Sequence, residues 1–418
     1  MYNYTQGISI KFLCLFLIIV LSGCESEKKK HTLDLNPIIP TGIGVNIHGE
    51  LSNVDVQRFN EANIKLVRLD LKWEMVELEK GKYNFDYYDK LTKILKDNNI
   101  RPYFILDYSN KIYEKDRSVV TKQGQEAFAN FAIAAVDRYK GKNAIWEIWN
   151  EPNAELFWTQ QPSYDKYGEL VEKVAPLIKQ YDESGTVVAP ALGIIDNESL
   201  QWLENFLKRG GILDNIDALS VHPYKPHSPE TVSDDYRKIR ELIKKHTNRE
   251  IPIISGEWGY SAVDKPDYSL SEQGQAEYLI RMLVLNSINN IPVSIWYDWR
   301  NNGTQINYDQ HNFGLLRYNY EIKPAYNALV NFNRLLSGFS YKERLNKNLS
   351  DDYLVKFTNK SSKEIYVYWT TEASHSVNIS LPSDKGEIVT MYGERQGISW
   401  TDKISLNFTT SPQYLIVK

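Results

Sequence analysis

The chain has 418 residues, which suits a barrel-sized domain followed by a smaller one. Its 49 basic and 53 acidic residues give a net charge of −4 without a basic stripe, and this argues against a nucleic-acid partner. Both cysteines, Cys14 and Cys24, lie near the amino terminus, so the rest of the chain has no disulfide, thiolate metal site or cysteine nucleophile.

Residues 1–23 are predicted to be a bacterial lipoprotein signal peptide. Lys11 precedes an apolar run that is too short to cross a membrane as a mature helix. Leu21-Ser22-Gly23-Cys24 then resembles the box in which the cysteine is lipidated, although an ordinary signal peptide with a chance cysteine is the alternative. Residues 24–39 lack periodicity and are predicted to be a flexible tether. We therefore expect an exported protein, periplasmic or at the cell surface, that a lipid on Cys24 anchors to a membrane.

Short apolar runs then alternate with segments of helical spacing over residues 40–336. Strands are predicted at Gly42–His48, Leu66–Leu71, Pro102–Tyr108, Ala144–Asn150, Thr186–Ala191, Asp217–Tyr224, Pro252–Trp258 and Pro292–Trp299, and helices include Tyr87–Lys96, Gln123–Tyr139, Tyr167–Gln180, Asp235–Lys245 and Glu272–Asn286. Apolar strands that alternate with helices are typical of a parallel sheet covered on both faces, and eight units predict a (β/α)₈ TIM barrel. An open doubly wound sheet is the alternative, but no glycine-rich phosphate loop follows the first strand.

The pattern changes after the last barrel helix, near residue 336. Short segments at Tyr353–Phe357, Glu364–Trp369, Val377–Leu381, Glu387–Met391, Ile404–Phe408 and Gln413–Val417 follow one another without a helix between them. They predict a small antiparallel β-sandwich over residues 337–418. We expect this domain to serve in packing rather than in carbohydrate binding, and Trp202, Trp369 and Trp400 to be core residues.

Polar and aromatic residues end the predicted strands, which is where the reactive groups of such a barrel lie. The fourth strand ends in Asn150 and Glu151, and the seventh ends in Glu257 and Trp258. Cleavage of a glycosidic bond needs two carboxyl groups, one to protonate the leaving oxygen and one to attack the anomeric carbon or activate water. Because strands four and seven face each other across a closed barrel, both glutamates can reach one bond.

Several of these stretches resemble signatures of clan A glycoside hydrolases. They are Trp146-Glu147-Ile148-Trp149-Asn150-Glu151-Pro152-Asn153 on strand four and Ile254-Ser255-Gly256-Glu257-Trp258-Gly259 on strand seven. Within the clan, Val67-Arg68-Leu69-Asp70-Leu71-Lys72-Trp73 and Leu106-Asp107-Tyr108-Ser109-Asn110 look most like family 39 and its endoglycosidase relatives, with family 5 cellulases next nearest. In family 5 a histidine usually ends strand three, where this chain has Asp107 and Tyr108.

The resemblance implies a retaining double displacement without a cofactor or a catalytic metal. Glu257 would be the nucleophile and Glu151 the general acid/base, about 5–5.5 Å apart rather than the 6.5 Å or more of inverting enzymes. The remaining expected site residues bind substrate or orient the nucleophile. They are Arg68, Asn150, His222, Tyr224, Trp296, Trp158, Trp258 and His48.

Simpler interpretations accompany these roles. Glu147 is expected to be structural, buried in the barrel beside a partner. His222 and His227 are not expected to bind a metal, because no carboxylate or cysteine completes a site around them. His48 and Asp70 suit a hydrogen-bonded barrel position as well as a sugar contact. Trp158, on the loop after strand four, is expected to form a wall of the groove.

The predicted function is retaining hydrolysis of a β-linked glycoside, within a polysaccharide or oligosaccharide, by a monomeric enzyme. Aromatic residues on the loops after strands two, four, seven and eight favour a long groove and endo-acting cleavage; these are Trp73, Trp158, Tyr260, Tyr268 and Tyr308. A catalytically silent glycan-binding lipoprotein and a transglycosylase that remodels a surface polysaccharide are the alternatives, and the sequence does not identify the sugar or the linkage.

Overall fold

The structure is a computed structural model that describes residues 1–2, 33–159, 161–266, 268–346, 350–382 and 384–418. The predicted signal peptide, Cys24 and most of the predicted tether lie outside the described residues, so they stay predictions. Among the described residues, no helix combines the length and the apolar character that crossing a membrane requires.

Eight parallel strands close into a barrel, as predicted. They are Ile43–Asn46 (β1), Leu66–Lys72 (β2), Arg101–Asp107 (β3), Ile145–Ile148 (β4), Thr186–Gly193 (β5), Ala218–His222 (β6), Ile253–Trp258 (β7) and Ser294–Trp296 (β8). Each strand pairs with the next along the chain, and β8 pairs with β1 to complete the ring. The carboxyl ends of all eight strands therefore open at one mouth.

Helices connect the strands around the outside. They are Asn53–Glu61 (α1), Trp73–Val76 (α2), Asp86–Asp97 (α3), Lys122–Tyr139 (α4), Tyr164–Tyr181 (α5), Asn197–Leu207 (α6), Ile212–Asn215 (α7), Val232–His246 (α8), Glu272–Ile288 (α9) and Pro324–Leu335 (α10). Hydroxyl residues cap several of them; for example, Ser271 accepts a hydrogen bond from the Gly274 amide at the start of α9. A 3₁₀ turn at Pro229–Thr231 precedes α8, and another lies at Asp309–His311.

The barrel interior is layered. Its lower layer is apolar and consists of Leu66, Tyr103, Ile145, Val188, Ala218, Ile254, Val293 and Ile295. Successive side chains of a strand point to opposite faces, so residues two apart point to the same face. Arg68 follows Leu66 by two residues and Glu147 follows Ile145 by two, so both side chains point into the barrel. A buried polar layer thus lies between the apolar layer and the mouth.

The carboxyl-terminal region is antiparallel, as predicted. One sheet has the order Phe339–Arg344, Asp352–Asn359, Glu364–Thr370, Gln413–Val417, Asp384–Val389 and Arg395–Trp400, and His375–Ser380 pairs with Lys403–Phe408. The strands at Phe339–Arg344 and Arg395–Trp400 were not predicted, because most of their side chains are exposed or half-buried and give no apolar signal. Trp202, Trp369 and Trp400 are buried, which confirms their expected place in the cores.

Candidate active site

The two predicted catalytic glutamates meet at the mouth of the barrel. Glu151 directly follows the end of β4, and Glu257 lies near the end of β7. A carboxylate oxygen of each, together with a ring nitrogen of His222, lies within 4.8 Å of the others. Their side chains are 15% and 13% exposed, so each is accessible to a bound molecule. A closest approach of this size suits the pair of a retaining enzyme, in which one carboxylate attacks the anomeric carbon itself.

The backbone after β4 is sharply bent at the first glutamate. Trp149 has φ +72° and Glu151 has φ +45°, both in the left-handed region that non-glycine residues seldom adopt. Gly193, at the end of β5, leaves space for the Glu151 side chain, because a Cβ there would lie 2.7 Å from the Glu151 carboxyl carbon. Sequence reasoning did not find Gly193, since only the fold shows what it lies against.

Glu257 is held by two donors. The Tyr224 hydroxyl donates to its Oε1 at 2.8 Å, and Arg68 Nη1 donates to its Oε2. Burial by itself would raise the pKa of Glu257, but the charge of Arg68 and the Tyr224 hydrogen bond lower the pKa below its ordinary value. Glu257 is therefore ionised at neutral pH, as a nucleophile must be.

Arg68 is buried and uses its whole guanidinium group. Nη1 also donates to Asn46 Oδ1 at 3.1 Å, and Nη2 donates to Asn150 Oδ1 at 2.8 Å. Since the Asn150 oxygen is taken by Arg68, its amide NH₂ remains free to donate elsewhere. Nη2 also lies 3.3 Å from His222 Nε2. Arg68 thus joins β1, β2, β4, β6 and β7 into one polar network.

Glu147 is the structural carboxylate that was predicted. It is fully buried and pairs with Arg68, whose Nε and Nη2 lie 2.8 and 2.7 Å from Glu147 Oε2. Tyr103 donates to its Oε1 at 2.7 Å, and Ser220 donates to the same oxygen. Gly256 provides the space, because a Cβ there would meet Ser220 Oγ at 2.3 Å. A charge buried this deeply is tolerated because all its partners are present.

Glu151 has a different neighbour. Its Oε1 lies 2.7 Å from Nδ1 of His222, a fully buried side chain. Arg68 always donates, so the nearby Nε2 of His222 accepts and Nδ1 carries the proton. The His222 Nδ1–H therefore donates to Glu151 Oε1, which leaves Oε2 as the oxygen available for proton exchange.

The reason given for expecting no metal at His222 was wrong. Glu151 and Glu257 both lie within the 4.8 Å cluster and have the right atoms to complete a site, whereas His227 is exposed on the loop beyond β6. The guanidinium of Arg68, in contact with both His222 and Glu257, already supplies positive charge to this cluster. A second cation would be repelled there.

The three tryptophans that were expected to contact sugar do not lie at the mouth of the barrel. Trp158, Trp258 and Trp296 are only 0%, 1% and 2% exposed, so the structure places their rings in the interior rather than at the mouth. Trp158 packs between Trp149 and Tyr167 beneath the loop, and Trp258 packs edge-on against Trp296 behind the barrel wall. Of the other loop aromatics, Trp73 and Tyr260 are also buried, whereas Tyr308 is exposed.

Other side chains present rings at the mouth. Tyr297, next to the buried Trp296, is half-buried, and its ring contacts those of His48 and Tyr224. On the opposite side, Phe157 is half-buried and stacks on Tyr108 with an interplanar angle of 12°. Phe157 rather than Trp158 is thus the aromatic residue that the loop after β4 exposes.

His48 and Asp70 lie in one cleft beside the catalytic pair. His48 is 38% exposed and its Nε2 lies 3.3 Å from Asn46 Nδ2 and 3.7 Å from the Asp298 carboxylate. Both His48 and Asp70 line a cavity of about 290 Å³ that Tyr87 and Tyr88 also border. Their position suits either of the two interpretations drawn from the sequence, so a sugar contact at these residues stays a prediction.

Comparison with known proteins gives a consistent assignment. The family model described as "Cellulase (glycosyl hydrolase family 5)" matches residues 39–303. A protein named beta-xylosidase from Geobacillus stearothermophilus is 24% identical over 360 residues, which cover 75% of this chain and 67% of that protein. A second beta-xylosidase, from Caldicellulosiruptor saccharolyticus, is 25% identical over 222 residues, or 48% of this chain and 43% of its own length.

Solved structures show the same fold. A family 39 glycoside hydrolase from Bacteroides cellulosilyticus superposes with a TM-score of 0.79 at 24% identity, covering 92% of this chain and 82% of that one. A monomeric beta-xylosidase from Caulobacter crescentus gives a TM-score of 0.67 at 14% identity, covering 90% and 96%. The similarity in both cases extends through the barrel and the sandwich.

Proposed function

Because the chain belongs to the cellulase family, glycosyl hydrolase family 5, we propose that it hydrolyses β-glycosides with retention, using Glu257 as nucleophile and Glu151 as general acid/base. The observation that supports this proposal is the pair of carboxylates within 4.8 Å of each other, one bound by Arg68 and Tyr224 and the other by His222.

In the first step, a Glu257 oxygen attacks the anomeric carbon and the bond from that carbon to the leaving oxygen breaks. Glu151 gives its proton to the leaving oxygen, and Oε2 is the atom that carries it, since Oε1 accepts from His222. Arg68 keeps Glu257 ionised before the attack. The free amide of Asn150 donates to a sugar hydroxyl.

In the second step, water replaces the leaving group beside Glu151. Glu151, now ionised, takes a proton from this water. The water oxygen attacks the anomeric carbon, and the ester bond from that carbon to Glu257 breaks. The two inversions restore the original anomeric configuration. The short separation of the carboxylates is what permits the covalent intermediate.

The proposed substrate is a β-linked xylose oligosaccharide or polysaccharide. Two relatives carry the name beta-xylosidase, which makes β-xylosides the first substrates to test. The leaving group must lie on the Glu151 side, where Phe157 and Tyr108 form a stacked pair. A flat apolar face there suits a second sugar ring and supports action on oligomers, including internal cleavage, by a monomer.

The amino-terminal sequence supports export. We propose that residues 1–23 are removed and that a lipid on Cys24 holds the enzyme at a membrane, in the periplasm or on the cell surface, where it would meet a polymeric substrate. Metabolic labelling with a palmitate analogue, compared between the full chain and its Cys24→Ala variant, tests this proposal. Label that persists in the variant would overturn it.

The central experiment uses residues 31–418 and follows xylo-oligosaccharide hydrolysis by ¹H NMR. The initial product should be the β-anomer, and Glu257→Gln should be inactive. An initial α-anomer would overturn the retaining mechanism. Oligosaccharides longer than the substrate would favour a transglycosylase, and binding without turnover by both proteins would favour a silent receptor.

A further inference from the structure

The loop that carries Tyr224 is anchored far from the site. This loop runs from the end of β6 to the 3₁₀ turn at Pro229–Thr231, where Glu230 is almost buried. Arg281 of α9 donates from Nε to Glu230 Oε1 at 2.7 Å. The indole Nε1 of Trp369, in the β-sandwich, donates to the same oxygen at 3.0 Å. A sandwich residue thus bonds directly to the loop that orients the nucleophile.

The loop after the nucleophile strand is held by the same helix. Gln275 of α9 donates to the Tyr260 carbonyl at 2.6 Å, three residues beyond Glu257. The Tyr260 ring contacts Tyr278, over which the Arg281 guanidinium lies at 5.1 Å. Helix α9 therefore fixes both loops, and Glu230 is the point at which the sandwich joins this arrangement.

The geometry at Glu230 is rigid. Trp369 is fully buried and stacks on Tyr353 with ring centroids 4.4 Å apart and an interplanar angle of 7°. Arg344 covers the Tyr353 ring at 3.7 Å. The indole therefore has little freedom to turn, and its N–H stays directed at Glu230. Removing one donor from a buried carboxylate leaves that carboxylate undersatisfied.

We propose that the β-sandwich is a positioning element of the active site, in which Trp369 acts through Glu230 to fix the loop that carries Tyr224. Tyr224 in turn donates to Glu257 and so keeps the nucleophile ionised and oriented. This inference rests on the proposed function, because it assigns the effect to Glu257 as nucleophile.

A purely structural role for Trp369 makes a different prediction. If the indole only packs, its loss lowers stability and leaves the pH dependence of turnover unchanged. If it positions Tyr224, its loss weakens the Tyr224–Glu257 hydrogen bond, which raises the pKa of Glu257 and moves the acidic limb of kcat/KM to higher pH.

The test compares Trp369→Phe with Trp400→Phe on a β-xyloside. Trp400 is a matched control, because it is a sandwich tryptophan whose Nε1 donates to Pro382 inside the sandwich at 2.8 Å. Trp369→Phe should lower kcat/KM several-fold on the acidic side of the optimum, and by no more than Tyr224→Phe does, because it weakens the Tyr224–Glu257 hydrogen bond without removing it. Its acidic limb should move to higher pH, and Trp400→Phe should leave both unchanged.

A double variant tests whether the effect of Trp369 on the nucleophile passes through Tyr224. In Tyr224→Phe, adding Trp369→Phe should produce no further shift of the acidic limb, because the bond it weakens is already absent. Should Trp369→Phe not fold, Glu230→Gln must produce the same shift. Equal profiles for Trp369→Phe and Trp400→Phe in an active protein would overturn this inference alone, whereas an inactive wild type would overturn the proposed function.

Discussion

The two sides of the catalytic mouth are built from different chemistry. On the β7 side, Glu257 accepts hydrogen bonds from a guanidinium and a phenol, Arg68 and Tyr224. On the β4 side, Glu151 contacts the His222 imidazole and lies in the space left by Gly193. Both carboxylates are similarly exposed, so burial does not distinguish them.

This contrast shows that the donors around a carboxylate, rather than its depth, divide the catalytic roles. A permanent positive charge favours the ionised form that a nucleophile needs. The His222 imidazole occupies one oxygen of Glu151 and leaves the other to exchange a proton. Variants at these residues test whether the two carboxylates keep separate roles when their surroundings are changed.

The largest effect is expected at the nucleophile. Glu257→Gln removes the attacking carboxylate but keeps the shape, and its single amide oxygen can accept from Arg68 or from Tyr224 but not from both. We expect kcat to fall by on the order of 10⁴-fold or more on β-xylosides, measured with an activated aryl glycoside. Thermal unfolding should be little changed. A loss below tenfold would assign the nucleophile elsewhere.

Removal of the acid/base should give a smaller loss that depends on the leaving group. Glu151→Ala should lose about 10²- to 10⁴-fold on xylo-oligosaccharides and much less on aryl glycosides that need no protonation. Added azide should restore turnover and give a glycosyl azide of retained configuration. The matched variant Glu257→Ala should instead give the inverted azide, and the same anomer from both variants would contradict the division of roles.

The variant Arg68→Met tests whether one cation supports both the active site and the stability of the fold. Arg68→Met leaves Glu147 and Glu257 buried without their partner, so we expect about 3–5 kcal/mol lower stability in urea unfolding. Arg138→Met is the control, because Arg138 pairs with Asp89 at the surface and is 47% exposed, which predicts a change of about 0–1 kcal/mol. Equal losses in both variants would contradict a central role for Arg68.

The sequence was sufficient for the barrel and the catalytic pair because both follow from local patterns. Apolar strands alternating with helices predicted the closed sheet, and the carboxyl ends of strands four and seven placed Glu151 and Glu257 together. The resemblance to clan A is confirmed: the matching model is that of family 5, ranked second from the sequence, and a family 39 structure shares the fold.

The tryptophans show where sequence patterns stop being sufficient. Ile295 points into the barrel, so alternation already directs Trp296 outward. The direction of the Trp258 side chain could not be predicted in this way. Ser255 pairs with Ser294 and Trp258 pairs with Trp296, so β7 advances by three residues where β8 advances by two, which is a β-bulge. This bulge reverses the alternation, so Glu257 faces the mouth and Trp258 faces outward.

The smallest expected effect concerns the proton on the nucleophile. The Tyr224 hydroxyl donates to Glu257 at 2.8 Å and helps to lower the pKa of Glu257, because the hydrogen bond favours the ionised form. Tyr224→Phe removes that bond, so the pKa of Glu257 should rise and the acidic limb of kcat/KM should move to higher pH. Activity should therefore fall most below the wild-type optimum and recover as pH rises, while the basic limb stays in place. A shift of the basic limb instead would mean that Tyr224 acts on the acid, and the separation between the two sides of the mouth would not hold.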